Sequence, residues 1–194
     1  QAGDDNIRAW DALRLRPRVL RGAARADIST SVLGAQISSP IFIAPNGRAT
    51  RYHAEGERAI VRAATARGAG ALLASSVGAS IGALRASAPS ALLWSQLYMS
   101  GDRSFVKDRV ELAHAEGAAA IVLTVDLLPD ANAPKPRQLP PASWETPKSG
   151  EPTPLFTGVR IDDLAWLCAV SPLPVVVKGV LRADDAAECV AAGA

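Results

Sequence analysis

Three short stretches end apolar runs in polar groups, and each could do chemistry at the end of a strand. In Leu92-Leu93-Trp94-Ser95-Gln96-Leu97-Tyr98, alternation along a strand puts Trp94, Gln96 and Tyr98 on one face. In Ala120-Ile121-Val122-Leu123-Thr124-Val125-Asp126, Thr124 and Asp126 share a face at the strand end. In Val175-Val176-Val177-Lys178, an ammonium closes a run of three β-branched residues. Amide, phenol, hydroxyl, carboxylate and ammonium groups are costly to bury without partners. Apolar strands finishing in polar groups are what a (β/α) barrel or a doubly wound sheet shows at its binding edge.

The elements that must position these groups alternate. Ile41 to Pro45 reads as a first buried strand leading into Asn46-Gly47-Arg48, and Ala71 to Ser75 as a second. The three strands above follow, starting near 92, 120 and 174. Helical patterns over Glu55–Arg67, Ser80–Ser87, Asp102–Glu116, Ile161–Val170 and Ala183–Ala192 separate or follow them. Asp102 is a plausible N-cap, and Gly68, Gly117 and Gly193 close their helices. Before this repeat stand a short helix (Ile7–Leu13), an extended Arg16-Pro17-Arg18 run and a hairpin over Ile28–Ile37 turning at Gly34. Five βα units imply a parallel sheet, closed or open. A complete barrel needs roughly 250 residues, so this is expected to be an open sheet or a barrel with about five of eight units. Residues 127–160 hold eight of the fourteen prolines, which predicts a long mobile loop.

Composition excludes some classes. The chain has 194 residues, is 48% hydrophobic and 21% charged, and carries a net charge of +2. That is too little charge to argue for nucleic acid, and the cluster Arg14, Arg16, Arg18 and Arg21 reads as a solvated segment. No apolar run reaches membrane-spanning length. Two cysteines, Cys168 and Cys189, read as reduced core thiols, which together with the lack of a signal peptide predicts an intracellular, cytoplasmic protein. No metal site is expected. Gln1 is not an initiator Met and the chain stops at Ala192-Gly193-Ala194, so both ends are expected to be cut.

The motifs together resemble a known family. Arg16-Pro17-Arg18-Val19-Leu20, Thr30-Ser31-Val32-Leu33-Gly34, Ser39-Pro40-Ile41-Phe42-Ile43-Ala44-Pro45, His53-Ala54-Glu55-Gly56-Glu57, Ser75-Ser76, Gln96-Leu97-Tyr98, Leu123-Thr124-Val125-Asp126 and Leu173-Pro174-Val175-Val176-Val177-Lys178-Gly179-Val180 occur in this order. The ordered set is similar to the FMN-dependent α-hydroxy-acid dehydrogenases and oxidases, which include glycolate oxidase, lactate oxidase and mandelate dehydrogenase. The resemblance spans essentially the whole chain. It implies an incomplete TIM barrel, residues 1–194 forming one partial domain with an N-terminal extension over 1–40. It implies FMN as cofactor and a small 2-hydroxy acid as substrate, oxidised to the 2-oxo acid, in a family that is often homotetrameric.

Residue by residue, the resemblance places Pro45, Asn46 and Gly47 along one side of the flavin. Asn46 stands where the family usually has Thr or Ser. Ser75, Gln96 and Thr124 match side chains that hydrogen-bond the flavin's polar edge, and Lys178 the Lys near N1 and the C2 carbonyl. A reduced flavin is anionic, and a fixed ammonium stabilises charge where it develops. Tyr98 matches the Tyr whose hydroxyl meets substrate, and Asp126 the Asp that orients the catalytic His. That His, a substrate-binding Arg and the phosphate-binding segments would follow Ala194, so residues 1–194 are expected to be inactive alone and to have lost much of the FMN affinity. His53 reads as structural and His114 as a helix-surface residue. A second substrate-binding Arg is expected near Ala133, where Lys135 and Arg137 are out of register. Val77 occupies a variable position that leaves substrate size open. The alternative is a non-catalytic remnant or partial barrel with at most weak flavin or partner binding.

Overall fold

The computed structural model describes residues 2–22, 25–75, 78–99, 102–126 and 158–194. In order, it contains α1 (Ala2–Asp11), β1 (Thr30–Val32), β2 (Ala35–Ile37), β3 (Phe42–Ile43), a 3-10 turn at Ala49–Arg51, α2 (Glu57–Ala66), β4 (Gly70–Leu73), α3 (Ile81–Ser87), β5 (Leu93–Leu97), α4 (Arg103–Ala115), β6 (Ile121–Thr124), α5 (Ile161–Val170), β7 (Val175–Lys178) and α6 (Ala183–Ala191). Residues 127–157 of the proline-rich segment lie outside the described residues, as do Ser76 and Val77.

Local chemistry accounts for the boundaries. The Asp102 side chain accepts from Phe105 N–H at 2.8 Å and caps α4. The Ser80 hydroxyl does the same for α3 through Ala83 N–H, at 3.1 Å. At α5 the Asp163 carboxylate accepts the Arg160 N–H at 3.0 Å, and Arg103 of α4 reaches that carboxylate at 3.1 Å while stacking 5.0 Å over Trp166. The first helix begins earlier than the apolar spacing predicts, because Asp4 and Asp5 suit a helix's first turn. The first strand pairs only at Phe42 and Ile43, since Pro40 and Pro45 on either side have no N–H to give a ladder.

Strands β3 to β7 form one parallel sheet in the order β3-β4-β5-β6-β7, and β1 and β2 a separate antiparallel pair. A doubly wound sheet would reverse strand order at a switch point. Here every strand pairs with the next in sequence, so the helices all fall on one face and the sheet is the wall of an incomplete barrel. The choice left open by the sequence is thereby made.

On the helix side, Val61, Leu84, Val106, Val110, Leu164 and Leu167 pack against Ala71, Leu73, Leu93, Leu97, Ile121, Leu123 and Val175. Each fully buried leucine there contributes about 1.5–3 kcal/mol over leaving it exposed. Cys168 and Cys189 are free thiols on the edge of this core. The opposite face holds a smaller cluster of Trp94, Ala120 and Val122 with Phe42, Leu72 and Val176. Phe42 and Trp94 meet there with ring centroids 4.4 Å apart. These apolar residues fill the lower layers of the inner face and leave its C-terminal rim to polar groups.

Candidate functional site at the strand ends

Register decides which polar groups meet. Gln96 of β5 stands opposite Val122 of β6, itself opposite Val176 of β7. Two residues on, Thr124 stands opposite Lys178. Because Leu97 pairs with Leu123, the next residue, Tyr98, is level with Thr124 and Lys178. Adjacent strands lie about 4.8 Å apart, so this top row spans about 10 Å. Gln96, Tyr98, Thr124 and Lys178 therefore share the inner face at its C-terminal rim, as the alternation of side chains predicts.

The hydrogen bonds are incomplete at this rim. Gln96 is only 3% exposed, and its Oε1 accepts the Ser75 N–H at 2.9 Å, tying the end of β4 to β5. Gln96 Nε2 and Thr124 Oγ1 are buried and have no hydrogen-bond partner among the described residues. Each such atom costs about 1–3 kcal/mol when nothing satisfies it, and two at one rim offer hydrogen-bonding capacity that the polar edge of a ligand could use. The third atom of this kind, Arg85 Nε, has a structural setting. Its guanidinium already donates to the carbonyls of Gly117 and Pro89, between α3 and the turns beside it.

Charge completes the row. Lys178 Nζ lies 3.4 Å from Asp126 Oδ1, with the two side chains 39% and 44% exposed. A pair so open to water is worth at most about 1 kcal/mol, so it orients these groups more than it stabilises the fold. The β6–β7 ladder runs one residue past Thr124, with Val125 N–H donating to Lys178 O at 3.0 Å. Burial pushes the Tyr98 phenol above its usual pKa, and the negative charge of Asp126 adds to this. The Gln96 amide pulls it partly back, though without completing a hydrogen bond of normal geometry. Tyr98 thus keeps its proton at neutral pH and can donate it.

Gly179 and Asp126 explain one another. Gly179 stands at φ +110°, and a Cβ there would lie 2.4 Å from Asp126 Cβ. Only glycine lets the Asp126 side chain sit beside the end of β7. The sequence showed a glycine after the Lys and no reason for it; the reason is a contact 53 positions apart in the chain.

Pro45, Asn46 and Gly47 follow β3 into an irregular turn at the sheet edge. Just past that turn, Glu57, 3% exposed, accepts the Ala49 N–H. Sequence reasoning saw Glu57 only as part of a motif; a Glu opening a helix after glycine signals a helix start but not the direction in which it points. His53 Nδ1 accepts the Glu55 N–H at 3.2 Å within its own loop. His114 lies in the last turn of α4, at the end of the barrel wall opposite the rim. Neither joins the polar row.

The donor set fits a flavin's edge. A buried amide N–H and a buried hydroxyl await partners beside a phenol and an ammonium, as a planar ring rimmed with carbonyls and nitrogens requires.

The whole chain, residues 1–194, matches the family described as FMN-dependent dehydrogenase. Mouse (Mus musculus) 2-hydroxyacid oxidase 1 is 37% identical over 213 aligned residues, covering 97% of this chain and 58% of the relative. L-lactate oxidase of Nostoc sp. is 34% identical and covers 100% of this chain and 61% of the relative. Among solved structures, a lactate oxidase of Pediococcus acidilactici superposes with a TM-score of 0.79 at 26% identity, over 98% of this chain and 55% of that one. A mandelate oxidase variant with (S)-mandelic acid gives 0.78 at 26%, over 97% and 56%. The chain spans little more than half the length of these relatives.

Proposed function

The chain belongs to the FMN-dependent dehydrogenase family, and from that premise we propose that its strand-end rim is the flavin-facing part of an enzyme oxidising a 2-hydroxy acid to the 2-oxo acid. The observation that carries this reading is the pair of buried atoms without a partner among the described residues, Gln96 Nε2 and Thr124 Oγ1, in the same rim as Lys178.

When bound, FMN supplies the two-electron acceptor. Gln96, held in place through Ser75, and Thr124 would bind its polar edge, and Pro45, Asn46 and Gly47 would line one side. Lys178 would offset the negative charge that the flavin gains on reduction, and a preorganised charge costs no rearrangement at that moment. Tyr98, with its proton held on by burial and by Asp126, would donate a hydrogen bond to the substrate. Asp126 would orient the residue that takes the substrate's hydroxyl proton. His53 and His114 do not fill that role; the resemblance assigns it to a His after a sixth strand.

The test uses a chain carried on past Ala194 through the segments that the resemblance places there: titration with FMN followed by flavin fluorescence, then anaerobic addition of a panel of 2-hydroxy acids while flavin absorbance is watched. Binding, and bleaching by at least one acid, is the expected result for that longer chain, while residues 1–194 alone should bind FMN weakly and leave it unbleached. Lys178→Met should retain oxidised flavin better than reduced flavin and so lower the bound flavin's potential. A potential unchanged by that substitution would remove Lys178 from this role, and a longer chain carrying those segments but without affinity for FMN would end the reading.

A further inference from the structure

Glu57 is an interior carboxylate that no step above uses. It opens α2, yet it is 3% exposed, and its Oε1 accepts the Ala49 N–H at 3.1 Å. A carboxylate so deeply buried is costly unless it is hydrogen-bonded, and a helix's positive N-terminal end favours negative charge at this position. Neither consideration explains why it reaches across to Ala49.

The loop it reaches is strained. Arg48, just before Ala49, stands at φ 60° and ψ 42°, a left-handed conformation that residues with a Cβ adopt rarely and keep only where their surroundings enforce it. The surroundings are tight. Gly56 is pressed against Thr50 so closely that a Cβ there would lie 2.6 Å from Thr50 Cγ2 and 2.9 Å from its backbone nitrogen. On the other side, a Cβ on Gly78 would lie 3.5 Å from both Glu57 Oε2 and Thr50 Cγ2. One carboxylate therefore stands between two loops. One carries Pro45, Asn46 and Gly47; the other carries Ser75.

We propose that Glu57 is a positioning residue whose carboxylate holds the loop after β3, Arg48 included, so that the Pro45–Gly47 backbone is set against the flavin. The flavin part rests on the function proposed above, and the experiment separates the two. Amide hydrogen exchange at Ala49 and Thr50 is measured without FMN, and FMN affinity separately, for wild type, Glu57→Ala, Glu57→Gln and Glu57→Ala/Arg48→Gly.

Loss of a hydrogen bond to a charged group should speed exchange at Ala49 and weaken FMN binding, each by about tenfold or more, in Glu57→Ala. Glu57→Gln keeps a neutral acceptor and should fall between wild type and Glu57→Ala in both. Arg48→Gly, which adopts the left-handed turn without steric cost, should restore part of the FMN affinity to Glu57→Ala. Should Glu57→Ala not fold, Glu57→Asp keeps the charge but withdraws the oxygen by one methylene, and should give the same rise in exchange. Exchange at Ala49 unchanged in Glu57→Ala or Glu57→Asp, or no recovery from Arg48→Gly, overturns the proposal. A chain carried on past Ala194 through the phosphate-binding segments that binds no FMN but shows the expected exchange pattern overturns the flavin reading and leaves the clamp standing.

Discussion

Thr124→Val should stabilise the protein without its cofactor and weaken its hold on FMN. Threonine and valine have the same shape, so the swap leaves the strand's packing and its β-branched character intact. What changes is one hydroxyl. Thr124 is 6% exposed and its Oγ1 has no partner among the described residues. A buried polar atom in that state costs about 1–3 kcal/mol, and valine removes the cost. The expected gain of about 1–2 kcal/mol is the reverse of the usual effect of a buried substitution. For a chain of this size, it should raise the melting temperature by about 2–8 °C. The hydrogen bond that Oγ1 would make to the flavin is worth about 0.5–1.5 kcal/mol net, so the FMN dissociation constant should rise by about two- to thirteenfold. Urea denaturation without FMN and fluorescence quenching with it read the two effects independently. A variant less stable than wild type by 1 kcal/mol or more would show that Oγ1 is satisfied within the protein. A variant binding FMN as tightly as wild type would show that the hydroxyl faces something else. Either result refutes the argument from unpartnered atoms, and with it the main support for the site.

Two further substitutions probe the same rim. Gly179→Ala should cost about 1–3 kcal/mol, because it combines a left-handed backbone with a clash on Asp126; in an Asp126→Gly background, where the nearest atom is gone, the cost in urea denaturation should shrink, and strictly additive effects would remove the contact as the cause. Tyr98 has a folded-state pKa above the ordinary 10.0, so the folded protein holds this proton longer than the unfolded chain does. The corresponding stability is whole below pH 10 and is lost as pH rises through the folded value. Tyr98→Phe should therefore flatten the alkaline limb of the stability–pH curve, and an alkaline limb as steep as that of wild type would contradict the burial of this phenol.

Much was legible in the residues alone. Alternation of apolar and polar side chains over 92–98, 120–126 and 175–178 is enough to put Gln96 with Tyr98, and Thr124 with Asp126, each pair on one face, because a strand's period is a local property. The spacing of strands and helices announced parallel βα units for the same reason, and α5 and β7 occupy the ranges read from the sequence. The ordered motifs named the family, which the match over 1–194 bears out. What local pattern could not supply was any relation between segments. Barrel wall or open sheet depends on which strands pair, and that follows from the sum of many weak contacts across the whole chain. That Lys178 is level with Thr124, that Gly179 is glycine because of Asp126, and that Glu57 turns inward to Ala49 are facts of register and packing. They join residues up to 54 positions apart, at distances no local propensity encodes; only the folded chain brings an amide, a hydroxyl and an ammonium to one rim.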